Sequence, residues 1–237
     1  MKKPMVLAVD VGGTHVKVRL SGMDEKREFD SGPELTPQAM MEGIKRITSD
    51  LHFDRVSMGI PTPVVGNRPG HEPHNLGRGW MEFDYDDGFG CPVKLLNDAA
   101  MQAVGSYQGG VMLFLGLGTG LGSCMIANRV VLPMELAHLP FRKGRTVEDC
   151  VGLRGLKRAG KRRWRRDVAR VVEAFQAALM PHEVVLGGGN AKLLKEPPSG
   201  CRVGDNANAF EGGFRLWEPE WADAVPVYQD ATPPAGR

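Results

Sequence analysis

Asp10-Val11-Gly12-Gly13-Thr14 and Gly116-Leu117-Gly118-Thr119-Gly120-Leu121-Gly122 are the two stretches of this chain best suited to holding phosphate. Each follows a short apolar run (Val6 to Val9; Val111 to Leu115) and precedes another (Val16 to Leu20; Gly122 to Ile126), so each reads as the tight turn of a β-hairpin. Glycine there lets backbone N–H groups turn inward and approach an anion closely, and the threonine hydroxyl adds a donor. One such turn is an ordinary way to join antiparallel strands. Two similar turns in the two halves suggest a duplicated phosphate clamp, with Gly12, Gly13, Thr14, Gly118, Thr119 and Gly120 as its candidate residues.

Transfer of a phosphoryl group to a hydroxyl needs a carboxylate to accept the proton, donors that neutralise the moving group, usually Mg²⁺, and a cleft that excludes water. Asp10 ends an apolar strand beside the first turn, where a carboxylate repels bare phosphate but helps hold Mg²⁺ through water; the alternative is a turn-starting aspartate. Lys17 faces either donor phosphates or solvent. Asp98 precedes a helical stretch, so its residue type suits both a proton acceptor and a helix cap. Gly187-Gly188-Gly189-Asn190 follows an apolar strand, where Gly188 and Gly189 let an elongated donor pass close to the backbone or simply connect strand to helix. The glycines from 116 to 122 recur every second residue between strands, unlike the dinucleotide-binding turn that opens a helix.

These groups need strands to carry them. The first half reads as strands Met5 to Val9, His15 to Ser21 and Arg27 to Phe29, a helix from Thr36 to Leu51, and strands Arg55 to Ile60 and Val93 to Leu96. Thr36 is a candidate N-cap, Pro37 suits the first helical position, and Met40, Met41, Ile44, Ile47 and Leu51 share a face. A glycine- and proline-rich loop spans Pro61 to Gly79, and a helix from Ala99 to Tyr107 follows Asn97-Asp98. The second half repeats the programme with strands Val111 to Leu117, Leu121 to Asn128, Val130 to Leu132 and Val184 to Leu186, and an amphipathic helix over Val168 to Leu179. The pattern predicts two similar lobes with a cleft between them: residues 1–97, then 98–206, with 207–237 packing back on the first lobe. The proline-bearing tail from Ala222 reads as loosely ordered or as an extended strip.

Composition excludes several classes. With 42% hydrophobic and 24% charged residues and a net charge of +2, the 237-residue chain reads as an ordinary globular protein, without the overall charge of a nucleic-acid binder. Cys91, Cys124, Cys150 and Cys201 form no C-x-x-C pair, which fits a reducing cytoplasm and argues against a disulfide framework. No stretch reads as a signal peptide or membrane span, so a cytoplasmic location is expected.

Five segments in this order resemble the ROK family of sugar kinases: Asp10-Val11-Gly12-Gly13-Thr14-His15-Val16-Lys17, Asn97-Asp98, Leu117-Gly118-Thr119-Gly120, Glu135-Leu136-Ala137-His138 and Gly187-Gly188-Gly189-Asn190. Gly144 to Asp149 and Gly204 to Phe210 resemble its polyphosphate glucokinase branch. The resemblance implies an α/β, two-lobed actin-like ATPase or ribonuclease H-like fold with a cleft between duplicated lobes. It puts the catalytic base on Asp98 and a hexose among Asn75, Asn97, Asp98, Glu135, His138 and Glu148. Donor phosphates then fall on the two turns with Lys17, Gly188 and Gly189, and Mg²⁺ on Asp10. The expected reaction moves a phosphoryl group from inorganic polyphosphate or ATP to the 6-hydroxyl of glucose or a close hexose such as mannose. An ATP-only kinase for mannose, fructose or an amino sugar is the alternative, and a non-catalytic sugar or polyphosphate sensor is the competing class. A homodimer is implied, with closure of Pro61 to Gly79 over the sugar.

This chain departs from the family pattern. Leu139 to Val147 lacks the cysteines of the zinc motif that many relatives carry, so no zinc is expected. Ala137 and Thr62 stand where glycines are usual, which bears on sugar preference. The basic stretch from Lys157 to Arg166 is a solvated helix face or a polyanion track. It would attract nucleic acid too, but no helix-turn-helix precedes Asp10, so no nucleic-acid partner is expected, and without an apolar span no membrane partner is expected either.

Overall fold

The computed structural model describes residues 3–205, 207–222 and 224. The first half runs β1 (Val6–Val11), β2 (His15–Leu20), β3 (Lys26–Asp30), α1 (Pro37–Ile47), β4 (Arg55–Ile60), a small hairpin of β5 (Val64–Val65) and β6 (Arg68–Pro69), α2 (Tyr85–Phe89), β7 (Val93–Asn97) and α3 (Asp98–Ser106). The second half runs β8 (Val111–Leu117), β9 (Leu121–Ala127), β10 (Val130–Met134), a 3-10 turn at Leu136–His138, β11 (Pro140–Arg142), β12 (Arg145–Thr146), α4 (Val147–Val151), α5 (Leu153–Leu179), β13 (Glu183–Gly187), β14 (Cys201–Val203) and α6 (Asn208–Arg215).

The two large sheets have orders β3-β2-β1-β4-β7 and β10-β9-β8-β13-β14. Counting strands within each half, both read 3-2-1-4-5: an antiparallel meander, then two parallel strands on the first strand's other side. The duplication expected from the two turns is therefore a duplication of topology, and the fold is the two-lobed actin-like α/β fold. Both faces of each sheet are covered. Along β8, Met112 and Phe114 join the core around α3, while Leu113, Leu115 and Leu117 join the core around Val168, Val171 and Phe175 of α5.

The chain passes from the first sheet to the second through α3 and returns through α6, and these two helices cross at glycines. A Cβ on Gly105 would lie 1.9 Å from the Asn208 carbonyl oxygen, and one on Gly212 1.8 Å from that of Met101, so main chain packs on main chain. Gly213 faces the first sheet, where a Cβ would meet Ala8 and Ser57. Ser57 Oγ donates to the Gly213 carbonyl at 2.7 Å and accepts from Trp217 Nε1 at 2.9 Å.

Local signals set most element ends. Thr36 caps α1 by accepting the Ala39 N–H, and Pro37 occupies the first turn. The helix stops at Ile47 rather than Leu51: Thr48, its C-cap, leaves helical geometry at φ −117° and ψ 14°, and its hydroxyl donates to the Ile44 carbonyl. The helix expected from Val168 begins fifteen residues earlier, at Leu153 (168 − 153), and takes in the basic stretch. It is broken at Gly160, where φ is +72° and ψ is 160°. Pro61 to Gly79 contains the β5–β6 hairpin and is tied down by Glu72, whose carboxylate accepts the Gly79 and Trp80 N–H groups. The tail from Ala222 lies, apart from Ala222 and Ala224, outside the described residues.

Candidate active site

The first turn joins β1 to β2. Gly12 N–H donates to the His15 carbonyl at 3.0 Å, and Ser31 closes the turn from outside, its hydroxyl donating to the Gly12 carbonyl and its N–H to that of Thr14. Gly13 and Thr14 are exposed. A Cβ on Gly13 would touch that of Asn75 at 3.4 Å, so the Pro61 to Gly79 loop delivers Asn75 to this turn. Asp10 pairs with Lys17 on β2 and with Gly59 on β4. Directly paired residues share a face, so Lys17 stands on the Asp10 side of the strand. Burial raises the Asp10 pKa and the Lys17 charge pulls it back.

Asp98 starts α3 directly after β7. The helix cap is Asn97, whose Oδ1 accepts the Ala99 N–H at 3.0 Å and the Ala100 N–H at 3.3 Å, while its Nδ2 reaches the Thr62 carbonyl at 3.4 Å. Asp98 Oδ1 also accepts the Ala99 N–H, at 2.8 Å. Burial pushes the Asp98 carboxyl up to about 7, and the negative charges of Asp10 and Glu135 add to the rise against the pull of backbone hydrogen bonds. Two glycines make this crowding feasible. A Cβ on Gly59 would lie 2.7 Å from Met101 Cε and 3.3 Å from the Asp98 Cα, and one on Gly122 would lie 2.5 Å from the Ala99 Cβ. Gly59 thus brings Asp98 beside Asp10, and Gly122 brings β9 of the second sheet against the first turn of α3.

The second turn joins β8 to β9, with Gly118 N–H donating to the Gly120 carbonyl at 3.1 Å and Thr119 exposed. The loop after β13 braces it: Asn190 donates through its N–H to Leu117 and through Nδ2 to Gly118, each at 2.9 Å. Gly188 has φ +79°, and a Cβ there would lie 2.6 Å from the Leu117 carbonyl oxygen, so only glycine lets this loop close on the turn. Gly189 has open space where a Cβ would stand. From the other side Glu148 Oε2 accepts the Leu121 N–H at 3.2 Å and lies beneath Gly120, where a Cβ would meet it at 2.3 Å.

Glu135 precedes and His138 ends the 3-10 turn after β10, their side chains 3.5 Å apart and exposed. Asp10, Asp98 and Glu135 are therefore linked by charge, Glu148 with Gly120 by contact, and Asn75 with Gly13 by contact. Gly59 and Ser31 are supports that lie outside the motifs, and Gly122 and Asn190 lie inside them without a role assigned from sequence; for Gly59 the available signal is a glycine inside a strand. Of the basic stretch, Arg158 donates to the Asp149 carbonyl, Arg165 to that of Leu193, and Arg163 pairs with Asp167. Lys157, Lys161, Arg162 and Arg166 are exposed, with no carboxylate partner among the described residues.

Known proteins are similar to this chain in sequence and in fold. N-acetylmannosamine kinase of Escherichia coli O157:H7 is 30% identical over 143 residues, covering 53% of this chain and 48% of that protein. Polyphosphate glucokinase of Mycobacterium tuberculosis (strain CDC 1551 / Oshkosh) is 25% identical over 203 residues, 76% of each chain. The chain thus spans about half the length of the first of these curated relatives and about three quarters of the second. The crystal structure of an inorganic polyphosphate/ATP-glucomannokinase from Arthrobacter sp. strain KM superposes with a TM-score of 0.75 at 20% identity, covering 89% of this chain and 97% of that one. The ROK family model matches residues 6–133, more than half of the chain, from the strand that carries Asp10 through Asp98 and the second turn, and the chain belongs to the ROK family.

Proposed function

We propose that this protein is a hexose kinase that moves the terminal phosphoryl group of inorganic polyphosphate or ATP to the 6-hydroxyl of glucose or a close hexose such as mannose. The observation that carries the reading is the place of the Asp98 carboxyl, at the start of α3 beside Asp10 and at the junction of two lobes that each present a glycine-threonine turn, where burial raises its proton affinity to about 7. A carboxylate that binds protons near neutral pH is matched to taking one from an attacking hydroxyl.

In this reading Asp98 accepts the hydroxyl proton as the oxygen attacks in line, while N–H groups of the two turns, with Thr14 and Thr119, hold the donor's phosphate oxygens. Asn75, Asn97, Glu135, His138 and Glu148 read the sugar hydroxyls, and Lys17, Gly188 and Gly189 line the donor's path. Among the described residues no group of three or more His, Cys, Asp or Glu side chains could hold a metal by itself. Asp10 fits Mg²⁺, which keeps waters and takes further ligands from phosphate, so Asp10 would hold it through water. When bound, Mg²⁺ offsets the negative charge of the transferred group.

The similarity to N-acetylmannosamine kinase favours a second reading, an ATP-dependent kinase of an amino sugar. The deciding experiment is sugar 6-phosphate formation with Mg²⁺, run on glucose, mannose and N-acetylmannosamine, each with ATP and with polyphosphate, and with Asp98→Asn as the blank. Turnover of glucose or mannose that vanishes in the variant supports the proposal. Turnover of N-acetylmannosamine alone supports the second reading, and sugar binding without turnover supports a sensor.

A further inference from the structure

Asp167 is 1% exposed, less exposed than any other charged residue among the described residues. It sits on the inner face of α5, one turn after Trp164, which is itself fully buried and donates through Nε1 to the Val151 carbonyl at 2.6 Å. Arg142, at the end of β11, donates from Nη2 to Asp167 Oδ2 at 2.6 Å. Arg163, one turn before Asp167 on the helix, approaches Oδ1 at 3.4 Å without a hydrogen bond. Arg142 Nε and Asp167 Oδ1 both lack hydrogen-bond partners.

A buried carboxylate is a poor device for stability alone, because an apolar pair of similar volume does as well or better; what the ion pair adds is a fixed geometry between the elements it joins. Those elements are α5 and the β11–β12 hairpin. The hairpin starts two residues after His138, and its base is closed by the Val147 N–H donating to the Leu139 carbonyl at 2.9 Å. On the near side, Ser123 anchors the segment only as far as Met134 and Leu136. Beyond them His138 and Leu139 are exposed, and the Arg142 to Asp167 bond is the next side-chain anchor. Glu148 is held separately, through Leu121 and through the capping box of Thr146 and Asp149.

We propose that Asp167 is a positioning residue for the sugar side of the site: through Arg142 it holds the hairpin against α5 and thereby fixes where His138 stands. This rests on the hexose-kinase reading for its effect on turnover, and on the tether alone for its effect on the backbone.

The test uses the full chain with Asp167→Asn, which keeps the shape and removes the charge, and with the paired change Asp167→Leu and Arg142→Met, which keeps an apolar filling and removes the tether. The expected result in both is a sugar KM raised about 10-fold, with donor KM within about twofold and kcat little changed. Amide exchange is expected to quicken over residues 138–147, at Val147 above all, and to stay slow in the second half of α5. Arg142→Lys, which keeps a cation facing Asp167, is expected to restore part of the sugar KM. Should Asp167→Asn fail to fold, the paired variant carries the test. Unchanged exchange over 138–147 overturns the tether, and sugar and donor KM rising together overturn the positioning role. If the unmodified protein turns over no hexose, the kinase reading fails while the exchange result still decides the tether.

Discussion

The charge on Asp10 raises the proton affinity of Asp98, second only to burial among the causes. Gly59, paired with Asp10 and packed against the Asp98 backbone, is what lets the two come together. The rate of phosphoryl transfer is therefore expected to climb with pH as Asp98 ionises and to level off above about 7, a profile read from kcat/KM. Asp98→Asn is expected to lower kcat by about 10²- to 10⁴-fold. In Asp10→Asn, the acid limb of whatever activity remains is expected at lower pH, because a charge that raised Asp98 is gone. An acid limb that stays in place would remove Asp98 from the role of base.

The same shift has a cost in stability with a definite sign. A carboxyl raised from 3.8 to about 7 keeps its proton in the folded state over a range where the unfolded chain has lost it, so stability falls as pH rises through that window. Asp98→Asn removes the penalty. Thermal melts are expected to show the variant close to wild type below about pH 4, with the gap widening as pH rises to about 7 and reaching about 4 kcal/mol near pH 8.

Gly59→Ala is expected to keep the fold and lose activity. Its methyl group must displace Met101 or the start of α3, a strain of about 1 to 3 kcal/mol that falls on Asp98. Circular dichroism and kcat measured together check this, and a fully active variant would mean that the separation of Asp10 and Asp98 is not critical.

Gly120→Ala sets a methyl group against the Glu148 carboxylate and is expected to break its bond to the Leu121 N–H. Donor KM is expected to rise about 10-fold, with a smaller rise for sugar. Equal rises would show that Glu148 couples the two substrates.

Replacing Lys161, Arg162 and Arg166 together by glutamine is expected to raise the polyphosphate KM several-fold and weaken its dependence on salt, leaving the ATP KM unchanged. Arg163 and Arg165 are excluded because their guanidinium groups are already engaged by Asp167 and the Leu193 carbonyl. If both donors respond alike, the stretch is only a solvated face.

Sequence pattern reaches some of this site and stops at the rest for a physical reason. The two hairpin turns, the Thr36 cap and the apolar face of α1 are readable because their determinants lie within a few residues of one another. From sequence Asp98 reads as the cap of a helix starting at Ala99, whereas Asn97 caps α3 and Asp98 is its first residue, because which of the two caps depends on backbone angles that neither residue type dictates. Gly59, Gly122 and Asp167 are opaque in one dimension: each matters for what packs on it, namely Met101 and Asp98, Ala99, and Arg142, all more than twenty positions away. The length of α5 is hidden by Gly160, which breaks the periodicity at the point where the basic residues cluster.

The return of α6 to the first sheet also sets an order of events during synthesis. The face of β1 and β4 around Ala8 and Ser57 is covered by Gly213 and Trp217, and Arg19 is sandwiched by Phe210 and Phe214 and paired with Glu211, nearly two hundred residues later. A ribosome must deliver about two hundred further residues before the opening strands gain their second layer. Until then that side of the first sheet lacks its cover, so the first lobe can complete its packing only after residues 208–217 are made.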